Sequence, residues 1–185
     1  MTGVSAHADL VEPPVEVALG APEREAFARP DGALAPIRLA EPFELLRERS
    51  DATLLRTGSR PKVYLVALGP EPTHRDRVAF VRERLEAGGF EAVYDGEAAT
   101  AEEAAIRLKA SGATLACLCG ADETYAGRAA PFAEAIKLSG AKGLALAGRP
   151  GAHEAAWRAA GVDDFLFAGG DAVAALQGLY RRIEG

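Results

Sequence analysis

The regular alternation of strand-like and helix-like segments across residues 62–185 most constrains how this chain can fold. The strand-like apolar runs occupy 62–68, 91–94, 114–119, 143–147 and 164–167. The helix-like segments lie at 74–87, 99–110, 122–138, 152–159 and 170–183. Because alternating β and α units form parallel sheets covered by helices, this pattern predicts a doubly wound α/β domain with five parallel strands.

Two of the strand-like runs indicate a sheet that is covered on both faces. The runs 115–118 and 144–146 are apolar without polar alternation, as expected for strands buried on both sides. Thr100, followed three residues later by Glu103, has the pattern of a capping box at a helix start. We therefore expect a flavodoxin-like sheet with the strand order 2-1-3-4-5.

Residues 1–61 differ in character from the remainder of the chain. They hold seven of the eleven prolines, and proline at this density disfavours regular helices and central strands. The sequence thus predicts a Pro-rich, extended N-terminal arm over 1–61, with a short helix near 42–49, followed by one domain over 62–185. Three apolar residues of the arm, Ile37, Leu39 and Phe43, are the candidate partner-contact strip.

Composition excludes some functions. The net charge of -6 disfavours a nucleic-acid partner, because phosphate binding needs a concentrated basic face. No apolar run is long enough to cross a membrane, and the start of the sequence lacks the apolar core of a signal peptide. We expect a cytoplasmic protein without a membrane partner.

The two cysteines, Cys117 and Cys119, lie two residues apart in a strand-like run. Alternate residues of a strand share a face, and such close neighbours form a disulfide only with poor geometry. A metal site would need further Cys or His ligands, and the sequence offers no second pair. We expect buried free thiols, typical of a reducing compartment, and no metal.

In a doubly wound sheet, ligands bind outside the carboxyl ends of the strands, where His74 follows the first strand. The chain has no G-x-G-x-x-G after that strand and no P-loop, which disfavours dinucleotide and nucleotide phosphate binding. A phosphoacceptor receiver would need an aspartate at the end of the third strand, where Cys119 and Gly120 stand. Flavin binding would need a hydroxyl-rich loop where Pro70 and Pro72 stand.

Several segments of the sequence resemble those of a known protein family. The segment from about residue 60 to 184 resembles the C-terminal, B12-binding-type domain of methylmalonyl-CoA mutase. The phrases at 39–44, 86–90 and 117–122 resemble the small (beta) subunit of the heterodimeric bacterial enzyme. That family's small subunit carries a large barrel before this region, which this sequence lacks, so the resemblance implies a truncated or naturally split form.

The resemblance also implies a site. The family's large subunit binds cobalamin through an Asp-x-His-x-x-Gly loop, and His74 matches its cobalt-ligating histidine, whereas Pro72 stands at the aspartate and Arg77 at the glycine. The positions of its further Ser-x-Leu and Gly-Gly motifs hold Leu118, Gly120, Ala147 and Gly148. Pro72 cannot accept a hydrogen bond from the imidazole as the aspartate does, and Arg77 is bulky where backbone must approach the ligand. We therefore expect a degenerate B12 site in which His74 is a solvated loop residue.

The resemblance implies a non-catalytic small-subunit domain that supports a cobalamin-bearing large (alpha) subunit in methylmalonyl-CoA/succinyl-CoA isomerisation. Adenosylcobalamin would then sit on the partner, and this chain would hold no cofactor and no catalytic residue. The chain alone is expected to be inactive. An alternative is a cobalamin-binding or carrier domain with His74 as cobalt ligand. A third possibility is another small molecule at the same sheet edge.

Overall fold

The structure, a computed structural model, describes residues 40–184. Its strands are β1 (Lys62–Leu68), β2 (Glu91–Val93), β3 (Leu115–Gly120), β4 (Gly143–Ala147) and β5 (Asp164–Leu166). Its helices are α1 (Glu41–Thr57), α2 (Glu71–Ala87), α3 (Ala101–Ser111), α4 (Asp122–Leu138), α5 (Glu154–Ala159) and α6 (Ala172–Glu184). A single 3-10 turn, Gly151–His153, precedes α5.

The five strands form one parallel sheet in the order β2-β1-β3-β4-β5, which confirms the predicted topology. The longest pairing joins β1 to β3, from Val63 opposite Leu115 to Leu68 opposite Gly120. The strand order reverses between β1 and β3, so the switch point of this sheet lies at their carboxyl ends.

Helices cover both faces of the sheet, and each face has its own apolar core. On one face, alternate residues of the central strands such as Tyr64, Val66 and Leu118 pack under α3, α4 and α5. On the other face, Val63, Leu65 and their neighbours pack under α1, α2 and α6. This two-sided burial is the reason that β3 and β4 read as continuous apolar runs.

Both cysteines lie in the core under α1, α2 and α6, which we call the second core. They are fully buried free thiols, as predicted. Hydrogen bonding to Cys119, and then burial, raises the pKa of the Cys117 thiol. Within the described range, no group of three or more His, Cys, Asp or Glu side chains is arranged to hold a metal ion.

A capping box marks the start of α3, and a proline lies in the first turn of α2. The Thr100 hydroxyl accepts from the Glu103 amide at 3.2 Å, while the Glu103 carboxylate reaches back to the Ala99 amide at 2.9 Å. Helix α2 begins at Glu71, three residues before the predicted start, because Pro72 is tolerated in the first turn of a helix.

Helix α1 runs well beyond the short helix predicted near 42–49 and packs on the domain. Leu46 and Ser50 are buried on its inner side, and the Ser50 hydroxyl donates to the Gly89 carbonyl. Phe43 is partly buried against the second core. The other two residues of the candidate contact strip, Ile37 and Leu39, lie outside the described residues.

Among residues 40–184, no helix combines the length and the apolar character needed to cross a bilayer.

Candidate functional site

The candidate site lies at the carboxyl ends of β1, β3 and β4, the edge where doubly wound sheets bind ligands. Three side chains converge there from α2 and α4: His74, Arg77 and Tyr125. Tyr94, directly after β2, joins them from the side. His74 and Arg77 stand at positions that the family resemblance marks, whereas no sequence motif indicates either tyrosine.

His74 is fully buried in the first turn of α2, so the expectation of a solvated loop histidine was wrong. Its Nδ1 lies 2.8 Å from the Gly69 carbonyl oxygen, and its Nε2 lies 3.0 Å from the Tyr94 hydroxyl. A carbonyl oxygen only accepts, so Nδ1 carries the hydrogen, and in the neutral ring Nε2 accepts from the tyrosine O–H. Both ring nitrogens are therefore engaged within the protein.

Tyr94 holds its hydroxyl against His74 with its ring edge-on to the imidazole, at a centroid distance of 6.1 Å. Burial, and then the nearby Glu71 carboxylate, raises the pKa of Tyr94. The hydroxyl thus keeps its proton at neutral pH and can donate it to Nε2. The guanidinium of Arg82 lies over the outer side of the ring, 5.8 Å from its centroid.

Arg77 bridges the ends of α4 and β4. One guanidinium nitrogen donates to the Ala147 carbonyl at 2.5 Å, and the other donates to the Asp122 carboxylate at 2.5 Å. Burial alone would lower the pKa of Arg77, but the hydrogen bond to Asp122 and its charge outweigh that and raise it. A Cβ atom added at Gly148 would lie 2.5 Å from the Arg77 guanidinium. The arginine therefore fills the space directly beside Gly148.

Tyr125 closes the gap between the ends of β3 and β4. Its hydroxyl accepts from the Gly120 amide at 2.8 Å and lies 3.0 Å from the Leu118 carbonyl and 2.8 Å from the Ala147 carbonyl. The Arg77 guanidinium sits over its ring, 5.4 Å from the centroid. Burial raises the pKa of this hydroxyl, which stays protonated as a donor.

A cleft of about 440 Å³ remains beside this cluster, between α2 and the ends of β4 and β5. Phe80 and Phe167 line it with Arg77 and Arg149, and the Arg149 guanidinium lies over the Phe167 ring. Neither His74 nor Tyr94 lines this cleft. The structure thus separates the open space at this edge from the histidine.

Comparison with known proteins finds relatives that match nearly the whole of this chain. The Streptomyces virginiae methylmalonyl-CoA mutase small subunit is 45% identical over 176 residues, which cover 95% of this chain and 26% of that protein. The probable methylmalonyl-CoA mutase small subunit of Mycobacterium bovis is 34% identical over 185 residues, 99% of this chain and 28% of that protein. This chain is homologous to part of the methylmalonyl-CoA mutase small subunit.

The small subunit of Propionibacterium freudenreichii subsp. shermanii is 34% identical over 142 residues, covering 76% of this chain and 22% of that protein. The resemblance found in the sequence is confirmed, and the chain spans about a quarter of the length of these small subunits. No protein-family model matches the chain.

Two solved structures are also similar. A cobalamin-binding protein from Desulfitobacterium hafniense has a TM-score of 0.49 at 20% identity, covering 76% of this chain and 67% of that one. A CheY-like protein from Pseudomonas aeruginosa has a TM-score of 0.47 at 23% identity, covering 66% of this chain and 93% of that one.

The residues of this small-subunit homologue do not fit a cobalamin bound through His74 in the observed arrangement. Ligation needs a free ring nitrogen, and Nε2 is hydrogen-bonded to Tyr94. Close approach of a corrin to the backbone needs open space beside Gly148, and Arg77 occupies it. Only the histidine's orientation resembles that of a metal ligand, since the Gly69 carbonyl accepts from Nδ1.

Proposed function

We propose that this chain is a non-catalytic small-subunit domain that supports a cobalamin-bearing large subunit in the interconversion of methylmalonyl-CoA and succinyl-CoA. The observation that carries the proposal is 45% identity to a methylmalonyl-CoA mutase small subunit along 95% of the chain. The two buried free thiols support a cytoplasmic location, where cysteines stay reduced.

In the proposed complex, adenosylcobalamin belongs to the large subunit, and this chain contributes packing rather than chemistry. Support comes from the degenerate sheet edge, where Tyr94 engages His74 and Arg77 fills the space beside Gly148. Each polar group of that cluster is hydrogen-bonded inside the domain, which stabilises the fold instead of presenting donors to a substrate.

We propose the strip of Ile37, Leu39 and Phe43 as a partner contact. Phe43 is partly buried against the second core, so only its remaining surface is available to a partner. We also propose that the boundary between the arm and the cobalamin-binding-like domain lies between residues 61 and 62. A substitution series at the three apolar positions, each to Ser, would test the strip by its effect on large-subunit affinity.

The test of the main proposal mixes the purified chain with a purified large subunit and adenosylcobalamin. We expect a complex in size-exclusion chromatography and no mutase turnover by this chain alone. Turnover by the chain without a large subunit would contradict the non-catalytic role. Failure to form any complex would contradict the subunit role itself.

The alternative, a cobalamin carrier that uses His74, is favoured by one observation. The Gly69 carbonyl takes the place of the absent aspartate, because it accepts from Nδ1 and leaves Nε2 as the acceptor nitrogen of the ring. Rotation of Tyr94 away from Nε2 would then free a ligand. We expect no absorbance change when micromolar hydroxocobalamin is added to the unmodified chain; a histidine-dependent spectral change, abolished in His74→Ala, would establish the alternative.

A further inference from the structure

A cleft of about 440 Å³ lies between the N-terminal part of α1 and the middle of α6. Pro42, Leu45, Ala52 and the buried Leu46 line it from α1, and Gln177 lines it from α6. Leu45 is 56% exposed, although the opposite side of its helix is packed on the domain. We call this cleft the α1 groove. Its apolar lining offers a surface on which a further apolar segment can pack.

The α1 groove carries one unmatched charge. Among the described residues, the ionisable side chains that line it are Glu48 and Arg49. Arg49 pairs with Glu184 of α6 at 3.2 Å, whereas Glu48 is exposed and has no ion pair with any described residue. An apolar occupant that carries a single cation would therefore complement the groove.

The segment that precedes α1 has this composition. Residues 33–39 read Ala-Leu-Ala-Pro-Ile-Arg-Leu, in which Arg38 is the only charged residue. They lie outside the described residues and join α1 through a turn at Ala40, next to the Pro42 end of the groove. Because a tethered segment has a high effective concentration at a neighbouring site, a few weak contacts are enough to hold it there.

The segment is also long enough to cover the groove. From Pro42 to Ala52 the helix rises roughly 15 Å, at about 1.5 Å per residue. An extended chain rises about 3.3 Å per residue, so about five residues cover the same length. Residues 34–38 are therefore sufficient when the chain runs back along α1 from the turn.

We propose that residues 34–38 of this same chain occupy the α1 groove. The Leu34 side chain packs on the apolar lining, and the Arg38 guanidinium pairs with Glu48. Arg38 would lie beside Leu45, about one helical turn from Glu48, which a long arginine side chain can span. The proposal goes beyond the subunit role, because it holds for the chain alone.

This arrangement leaves the proposed partner contact intact. Successive side chains of an extended segment point to opposite sides, so Leu34, Pro36 and Arg38 share the side that faces the groove. Ile37 and Leu39 then point away from the groove and stay available to a partner.

The experiment measures how fast a thiol reagent labels a cysteine placed in the groove of the full chain. Ala52→Cys places it there, and the two native cysteines are fully buried and do not compete. The segment should slow this labelling by covering the groove. Leu34→Ser should raise the labelling rate about fivefold, because it removes the apolar contact that holds the segment in place.

Two controls separate covering of the groove from general effects. Leu19→Ser changes a leucine of the arm outside the segment and should leave the rate unchanged. Ala110→Cys places a thiol at an exposed position of α3, and its labelling should not respond to Leu34→Ser. Circular dichroism verifies that each variant folds. If Leu34→Ser does not speed the labelling of Ala52→Cys, the segment does not cover the groove and the proposal is wrong.

A charge-reversal cycle tests the pair with Glu48 independently of the leucine. Arg38→Glu and Glu48→Arg should each raise the labelling rate about twofold, because like charges then face each other, and the double variant should restore the original rate. Arg29→Glu, at an arginine of the arm outside the segment, is the matched control and should change nothing. A double variant that labels even faster than either single one would show that Arg38 does not face Glu48, and would overturn the proposal.

Two other occupants of the α1 groove would also overturn it. A second copy of the chain would make the labelling of Ala52→Cys slower as the protein concentration rises. A different partner would leave Ala52→Cys fast in the chain alone and slow it only after the large subunit is added. Since the labelling needs this chain alone, its failure leaves the subunit role standing, and failure to bind a large subunit leaves this proposal standing.

Discussion

At the scale of single residues, His74 and Tyr94 show how a ligand position can become part of the fold. The imidazole ties the end of β1 to the residue after β2 through Gly69 and Tyr94. We predict that Tyr94→Phe lowers the free energy of unfolding by about 1 kcal/mol, because the buried Nε2 loses its donor. Urea unfolding measures this loss.

The same variant has a second readout that is independent of stability. In the unmodified chain, imidazole ¹⁵N shifts should report a hydrogen on Nδ1 and none on Nε2, as the carbonyl contact requires. Tyr94→Phe should leave the hydrogen on Nδ1. A hydrogen found on Nε2 in the unmodified chain would contradict the contact with Gly69.

Arg77 gives the second prediction at this scale. Arg77→Met removes two charge-assisted hydrogen bonds and should lower the free energy of unfolding by about 2 kcal/mol. Arg75→Met, two residues away and 71% exposed with a 3.9 Å contact to Asp76, should change it by less than about 0.5 kcal/mol. Equal losses in the two variants would mean that the bridge to Ala147 and Asp122 contributes nothing beyond helix propensity.

At the scale of elements, the docking of α1 depends on a glycine. Gly89 has φ +82°, and an added Cβ would lie 2.7 Å from the Cβ of Ser50 on α1. We predict that Gly89→Ala lowers the free energy of unfolding by about 3 kcal/mol, of which about 1 kcal/mol is the left-handed backbone and the remainder the collision with α1. Amide hydrogen exchange along α1 should become faster.

Gly169→Ala is the matched control for that change. Gly169 has φ +86° and open space around its Cβ position, so only the backbone penalty of about 1 kcal/mol applies. Exchange along α1 should be unaffected in this variant. If both glycine variants lose the same stability, α1 adjusts to the added methyl group and is not held through Gly89.

The elements themselves could be predicted because their signals are local. Apolar periodicity and the run of Leu115 to Leu118 depend only on sequence neighbours and on burial of both faces. The side-chain contacts at the edge of the sheet could not be predicted, because they join residues of elements that are distant in the sequence. Nothing in the sequence near Tyr94 indicates that its hydroxyl reaches a histidine 20 residues earlier.

The burial of His74 could not be predicted from the sequence either. The sequence placed it correctly after the first strand, but Pro72 suggested a loop where the structure has the first turn of α2. Pro72 cannot orient the imidazole as an aspartate would, and the backbone carbonyl of Gly69 does so instead. Main-chain partners of this kind carry no residue-type signal.

At the scale of the whole molecule, the four tyrosines of the chain make its stability sensitive to alkaline pH. Burial, together with the Asp95 hydrogen bond, raises the pKa of Tyr64, and burial raises the pKa of Tyr180 to about 12. Tyr94 and Tyr125 shift in the same direction. Every tyrosine thus favours its protonated form in the folded chain more than in the unfolded chain.

The sign of the effect follows from linkage. A group whose pKa is raised on folding contributes its full stability below its unfolded pKa, near 10, and loses it as the pH rises through its folded pKa. For Tyr180, a folded pKa of about 12 corresponds to a loss of about 3 kcal/mol by the time both states are ionised. We therefore predict nearly constant stability from pH 7 to 9 with respect to tyrosine and cooperative unfolding between about pH 10 and 12.

The measurement follows tyrosinate absorbance and circular dichroism together during an alkaline titration. The two signals should change at the same pH, because ionisation of the buried tyrosines requires unfolding. Tyr180→Phe removes one of the ionising groups and also the hydrogen bond to the Gly88 carbonyl, so it should be less stable at neutral pH and lose less on going to pH 12. If the tyrosines ionise near pH 10 while the circular dichroism stays unchanged, they titrate in the folded chain. Burial would then not raise their pKa values, and this prediction would be wrong.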